Sequence, residues 1–270
     1  LPEGIAHFLE HKLFESEDGD AFTKFAATGA YANAYTSFDK TCYLFSCTNN
    51  FYENLDILLE FVNNPYFTDE NVAKEQGIIG QEIKMYDDEP SWRLMMNFLS
   101  SMYHNHPVRI DIAGTQESIA KIDADLLYRL YKNFYNPANM VLCVVGAIEP
   151  QEVFDIVERC IKNVEAKPAE RKFEKESAKP VKNHVEEKLS VAAPIFSLGF
   201  KESYGLPKRT LRQKIAADVL LELLAGTTSE LYNSLLEQEL INTSFGFEQF
   251  TGFGYAATFF SGESKNPEEV

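Results

Sequence analysis

The chain has 270 residues, long enough for two domains or one large one, and its 45% hydrophobic and 24% charged content is that of a folded globular protein. A formal net charge of −16 excludes a nucleic-acid backbone as partner, because phosphate binding needs clustered Lys and Arg. No apolar run approaches the roughly 20 residues that span a bilayer, so no membrane segment is expected. The four cysteines (Cys42, Cys47, Cys143, Cys160) form no CxxC pair, and the expectation is reduced thiols in a reducing compartment.

Pro2 and Gly4 precede a helix-spaced apolar set, Ile5, Phe8, Leu9 and Leu13. A second helix is predicted over Asp20–Thr28, stopped by Gly29. Two strands follow, Ala30–Ser37 and Thr41–Thr48, joined by Phe38-Asp39-Lys40. Helices are then expected at 51–63 and, after the N-cap chemistry of Thr68 to Asn71, as far as Met85. Two more are expected at 91–103 and 124–135. Asn139–Gly146, NMVLCVVG, reads as a buried strand, and a helix from Pro150 to Val164 completes the first part. The polar, proline-containing stretch 165–187 reads as a linker. Beyond it come a strand (189–200), two helices (209–224, 229–238) and two strands (241–249, 252–262). The fold class is therefore α+β. The C-terminal stretch breaks off where a helix is about to start, and the opening is already the first helix, so a fragment is expected at both ends.

The chemistry concentrates in GIAHFLEHKLF, residues 4–14. On a helix His7 and His11 share one face at i, i+4 and can chelate one ion, and Glu10 lies on the flank of that face. His-x-x-Glu-His is a zinc-peptidase signature: imidazoles bind zinc, a water fills an open position, and a carboxylate takes its proton. Two ligands do not complete a catalytic site. In KEQGIIGQEIKMYDDE, Glu75 and Glu82 stand seven residues apart, close to two helical turns, so both carboxylates lie on nearly one face. Gly77 and Gly80 between them cost about 1 kcal/mol each in a helix. They are expected to thin the helix so that it closely approaches another backbone. His104, His106 and His184 show no comparable pattern.

His-Phe-Leu-Glu-His, followed 71 positions later by Glu82 (82 − 11) with Glu75 one heptad earlier, resembles the pitrilysin/insulinase family of zinc peptidases. The resemblance extends through Asn33-Ala34-Tyr35-Thr36, Asn136-Pro137-Ala138-Asn139-Met140 and Leu231-Tyr232. The members this chain looks most like are bacterial homologues of the mitochondrial processing peptidase. That resemblance implies one Zn2+ held by His7, His11 and Glu82, with Glu10 as general base and Glu75 as the second acidic residue supporting the site. It implies peptide substrate on the strand Ala32, Asn33, Ala34, Tyr35 and Thr36, added as an extra strand. It also implies two related α/β-roll domains, each an antiparallel sheet packed with helices. These are a zinc-bearing domain at 1–164 that lacks its N-terminal strand and a partial, zinc-less one at 188–270. The expected function is zinc-dependent endopeptidase action on extended or unfolded peptides, by a Glu-activated zinc-bound water. The alternative is a non-catalytic peptide-binding or partner subunit of a two-subunit processing peptidase. Partners are then a peptide or small-protein substrate and a second homologous domain or subunit closing the chamber, with no nucleic acid and no membrane. The expected location is the bacterial cytoplasm, with an organelle as the alternative.

Overall fold

A computed structural model of the chain describes residues 1–161, 167–172, 174–202 and 210–270. Along the chain run α1 (Ile5–Leu13), β1 (Glu15–Ser16), β2 (Gly19–Asp20), α2 (Ala21–Thr28), β3 (Tyr31–Thr36), β4 (Thr41–Ser46), α3 (Phe51–Asn63) and α4 (Asp69–Asp87). Then come α5 (Pro90–Met102), α6 (Gln116–Ile119), α7 (Ala124–Phe134), α8 (Pro150–Cys160), β5 (Ile195–Lys201), α9 (Leu211–Ala225), α10 (Glu230–Glu237), β6 (Gly246–Gly252) and β7 (Tyr255–Glu263). Helices combine with small antiparallel sheets, so the fold is α+β. The chain forms two compact units, Leu1–Ile83 with Ile112–Arg171, and Lys84–Asp111 with Lys172–Val270.

In the first unit the local chemistry explains each boundary. Gly4 adopts φ +85° and its carbonyl accepts from Phe8 N–H, which opens α1. Asp20 caps α2 by accepting from Phe22 N–H, and Gly29 closes it in the left-handed region. Thr68 and Asn71 cap α4 reciprocally, each side chain accepting from the other's backbone N–H at 3.1 and 3.0 Å. β3 and β4 form an antiparallel pair that places Thr36 opposite Thr41. Stacked and tilted rings of Phe14, Phe25, Tyr43, Phe45 and Phe61 fill the space between these elements. Leu55 and Leu59 of α3 pack with Val153 and Ile156 of α8.

Two expectations are corrected here. The run 139–146 carries no strand ladder, and Val141 and Val145 are 95% and 91% exposed. An apolar run becomes a buried strand only where another strand pairs with it, and none among the described residues does. Only Val144, with nearby Ile148, packs against the α3–α8 cluster. Gly77 and Gly80 do not thin α4 for a close approach, because a Cβ at either would meet nothing within 4 Å. The hairpin β1–β2 is also additional to the sequence reading. The expected end of α8 at Val164 and the expected start of α9 at Arg209 lie outside the described residues.

The second unit holds a three-stranded antiparallel sheet in the order β5-β7-β6. Its core joins Ala225, Tyr232, Leu235, Ile241 and Phe245 with Phe196, Phe247 and Phe260. Glu176, within the expected linker stretch, is 3% exposed. Its carboxylate accepts from the backbone N–H groups of His104, Asn105 and His106 and from Lys201 Nζ, all at 2.8–2.9 Å. Burial alone would raise its pKa; the hydrogen bonds from His104, Lys201, Asn105 and His106 outweigh this and hold it at about 2. All four cysteines are free, and no described helix is long and apolar enough to cross a membrane.

Two predictions follow from these contacts. A Cβ at Gly4 would lie 2.3 Å from the Ala113 carbonyl oxygen, whereas one at Gly77 meets open space. Gly4→Ala should therefore destabilise by about 1–3 kcal/mol, and Gly77→Ala should stabilise by about 0.5–1 kcal/mol, read by denaturant unfolding. Because the folded pKa of Glu176 is depressed from 4.5, its contribution is complete above pH 4.5 and is lost as pH falls towards 2. The stability gap between wild type and Glu176→Gln should be about 2–3 kcal/mol at neutral pH and should close over that acid range.

Candidate metal centre

α1 buries Ile5, Phe8, Leu9, Lys12 and Leu13, which turns His7 and His11 to the opposite, partly exposed side. α4 brings Glu75 and Glu82 up to that side. Glu82 Oε1 lies 3.7 Å from His7 Nε2, and Glu82 Oε2 lies 3.6 Å from His11 Nε2. One ligand atom from each of His7, His11 and Glu82 falls within 4.8 Å of the others, the one such group of three among the described residues. Ligands about 2.0–2.1 Å from a tetrahedral zinc stand about 3.4 Å apart, so these spacings suit a single ion.

Glu75 takes a different place. Its Oε1 accepts from His11 Nδ1 at 3.0 Å, which leaves Nε2 of that ring as the lone-pair nitrogen facing Glu82. The donor set therefore fits a zinc ion: two imidazoles, one carboxylate and an outer carboxylate on a ring N–H. Lys12, fully buried, places its ammonium 3.7 Å from Glu75 Oε2 and donates to Glu15. Burial pushes the Glu75 carboxyl up, but the His11 hydrogen bond, the His11 charge and Lys12 together bring it below its ordinary value. For His11, burial lowers the pKa, and the hydrogen bond to Glu75 with the charges of Glu75, Glu82 and Glu10 raises it overall.

Glu10 is 7% exposed, and its Oε2 accepts from Thr36 Oγ1 at 2.6 Å. Burial lifts its carboxyl above the ordinary value; the Thr36 hydrogen bond and His11 work against this, and Glu82 adds to it. A carboxylate whose pKa is raised is better suited to accept a proton near neutrality. The strand β3 carries Ala32, Asn33, Ala34, Tyr35 and Thr36 and pairs among the described strands only with β4. Successive side chains alternate, so Ala32 and Ala34 share the face of Thr36 while Asn33 and Tyr35 are exposed. Asn33 Oδ1 accepts from Ala34 N–H, and Asn33 Nδ2 donates to the Tyr31 hydroxyl.

All five acidic and histidine positions singled out in the sequence thus meet in one place. The sequence reading missed Lys12 and the tie between Thr36 and Glu10. Lys12 was detectable, because it continues the buried Ile5–Phe8–Leu9 stripe at i+7 and a lysine there must find carboxylates. The Thr36 contact joins residues 26 positions apart and has no local signature.

Residues 2–116 match the family described as Insulinase (Peptidase family M16), and residues 121–270 match the Peptidase M16 inactive domain. The chain is 46% identical to the uncharacterized zinc protease YmfH of Bacillus subtilis (strain 168), over all of this chain and 64% of that protein. It superposes on the crystal structure of an M16-like peptidase homologue from Alicyclobacillus acidocaldarius with a TM-score of 0.91 and 40% identity, over 100% of this chain and 64% of that one. A protease from Helicobacter pylori, 23% identical, shares the fold at a TM-score of 0.83 over 97% of this chain and 65% of its own. The chain spans about 64% of the length of the first of these relatives. By these matches, carried along nearly its whole length, the chain belongs to peptidase family M16, the insulinase family.

Proposed function

We propose that this chain carries the zinc site of a metalloendopeptidase that hydrolyses extended or unfolded peptides. The observation that carries the reading is the convergence of His7, His11 and Glu82 ligand atoms beside a buried Glu10. His7, His11 and Glu82 would hold the zinc ion. Zinc, when bound, supplies a Lewis acid that polarises the scissile carbonyl and acidifies a water. Glu10 accepts the water's proton and passes it to the leaving amine. Glu75 keeps the His11 ring oriented through Nδ1, and Lys12 holds Glu75 by charge.

The substrate lies along β3, where Ala32 to Thr36 offer main-chain groups to a peptide added as a further strand. The exposed Tyr31, Asn33 and Tyr35 side chains then contact its residues. In this reading the zinc belongs to the domain of residues 1–164, and 188–270 is a homologous zinc-less domain. A second homologous domain or subunit closes the chamber, and the protein works in the bacterial cytoplasm. The alternative is a non-catalytic peptide-binding or partner subunit; such members of the family generally lose motif residues, whereas His7, Glu10, His11, Glu75 and Glu82 are all in place.

Glu10→Gln should retain zinc and lower kcat by roughly 10²–10⁴ on an unstructured peptide, the usual contribution of a general base. Full activity in that variant would refute the role of Glu10, and zinc-loaded wild type that cleaves no peptide would favour the alternative. Glu82→Ala and His11→Ala should lose zinc outright. Glu75→Gln should bind it roughly 10–100-fold more weakly, read by chelator competition.

A further inference from the structure

We propose that Thr36 is a positioning residue for Glu10, backed by the Thr41 hydroxyl across the β3–β4 pair. The inference rests on the reading of Glu10 as general base. Its geometry is independent of the ligand group.

An ionised carboxylate only accepts hydrogen bonds, so at 2.6 Å the single hydroxyl proton of Thr36 is committed to Glu10 Oε2. Thr41 Oγ1 lies 3.3 Å from Thr36 Oγ1, across the β3–β4 ladder where the two residues are paired. With the Thr36 proton already used, Thr41 must be the donor in that contact. That bond polarises the Thr36 hydroxyl towards the carboxylate.

The consequence for Glu10 is orientational. Oε2 is held from the strand side, so Oε1 is the oxygen not engaged by Thr36, and one carboxylate rotamer is selected. Thr36 is also the last residue of β3, so the strand proposed to receive the peptide and the base that acts on it are mechanically joined. A peptide that shifts or straightens β3 moves the Glu10 carboxylate with it.

The test uses the full-length chain with zinc bound and compares Thr36→Val, nearly the same shape without a hydroxyl, with Thr36→Ser, which restores it. Thr36→Val should lower kcat roughly ten- to hundredfold, the scale of one hydrogen bond to a charged group, with KM and zinc content unchanged. Thr36→Ser should recover most of the loss, and Thr41→Val should show a smaller loss of the same kind. In a Glu10→Gln background Thr36→Val should cost nothing further. Crystal structures give a readout apart from turnover: the Glu10 carboxylate should keep one orientation in wild type and Thr36→Ser and leave it in Thr36→Val. Unchanged kcat together with an unchanged Glu10 orientation in Thr36→Val would overturn the proposal, as would equal losses in Val and Ser. If wild type fails to cleave peptides, the peptidase reading fails, and the Glu10 orientation alone then decides the role of Thr36.

Discussion

The hydrogen bond from His11 Nδ1 to Glu75, 3.0 Å long, is the interaction on which the centre depends. A neutral imidazole has one N–H and one lone pair, and which nitrogen carries which is decided by its partners. Glu75 takes the N–H, so the lone pair of Nε2 faces Glu82 and His7. Without that bond the ring could turn or change tautomer, and the i, i+4 histidine pair would be only a pattern on a helix. The rest of the unit serves to keep α1 and α4 in the register that makes the contact. Gly4 meets Ala113 and Gly114 meets Glu3 at distances where no Cβ fits, which fixes the entry to α1. The apolar stripe of Ile5, Phe8, Leu9 and Leu13 fixes its rotation.

Charge is handled locally. Glu10, Lys12 and Glu75 are all buried, and an isolated buried ion costs several kcal/mol. Lys12 lies against Glu15 and Glu75, Glu75 against His11, and Glu10 against the Thr36 hydroxyl, so each has a partner of suitable polarity. The second unit treats Glu176 the same way, with three backbone N–H groups and Lys201 around one carboxylate. The excess of acidic residues over the chain is therefore separate from these buried groups, which are individually matched.

How much could be read beforehand follows from the range of the forces involved. Helix ends capped by Asp20, Gly29, Thr68 and Asn71 are local chemistry, and α2, α3, α4 and α7 lie within two residues of their predicted bounds. The spacing of His7 to His11 and of Glu75 to Glu82 is set by helical periodicity, so the sharing of faces was legible. That the two faces meet is tertiary: periodicity made the Glu75/Glu82 helix a candidate for the missing ligand, and only the family resemblance assigned Glu82 to the ion. Contacts made by packing alone stayed hidden. The Thr36–Glu10 bond, the place of Lys12 between two carboxylates, and the exposure of Val141 and Val145 all depend on which segments lie alongside. Gly77 and Gly80 gave a misleading signal, because a glycine in a helix can reflect an open face as well as a close approach.

The most direct test of the centre is zinc-edge X-ray absorption on the purified, zinc-loaded chain, with Glu82→Ala as the comparison. The account predicts two imidazole nitrogens and carboxylate oxygen at about 2.0–2.1 Å, no sulfur, and loss of bound zinc in Glu82→Ala. A sulfur shell at about 2.3 Å, or a spectrum and zinc content unaltered by Glu82→Ala, would contradict it.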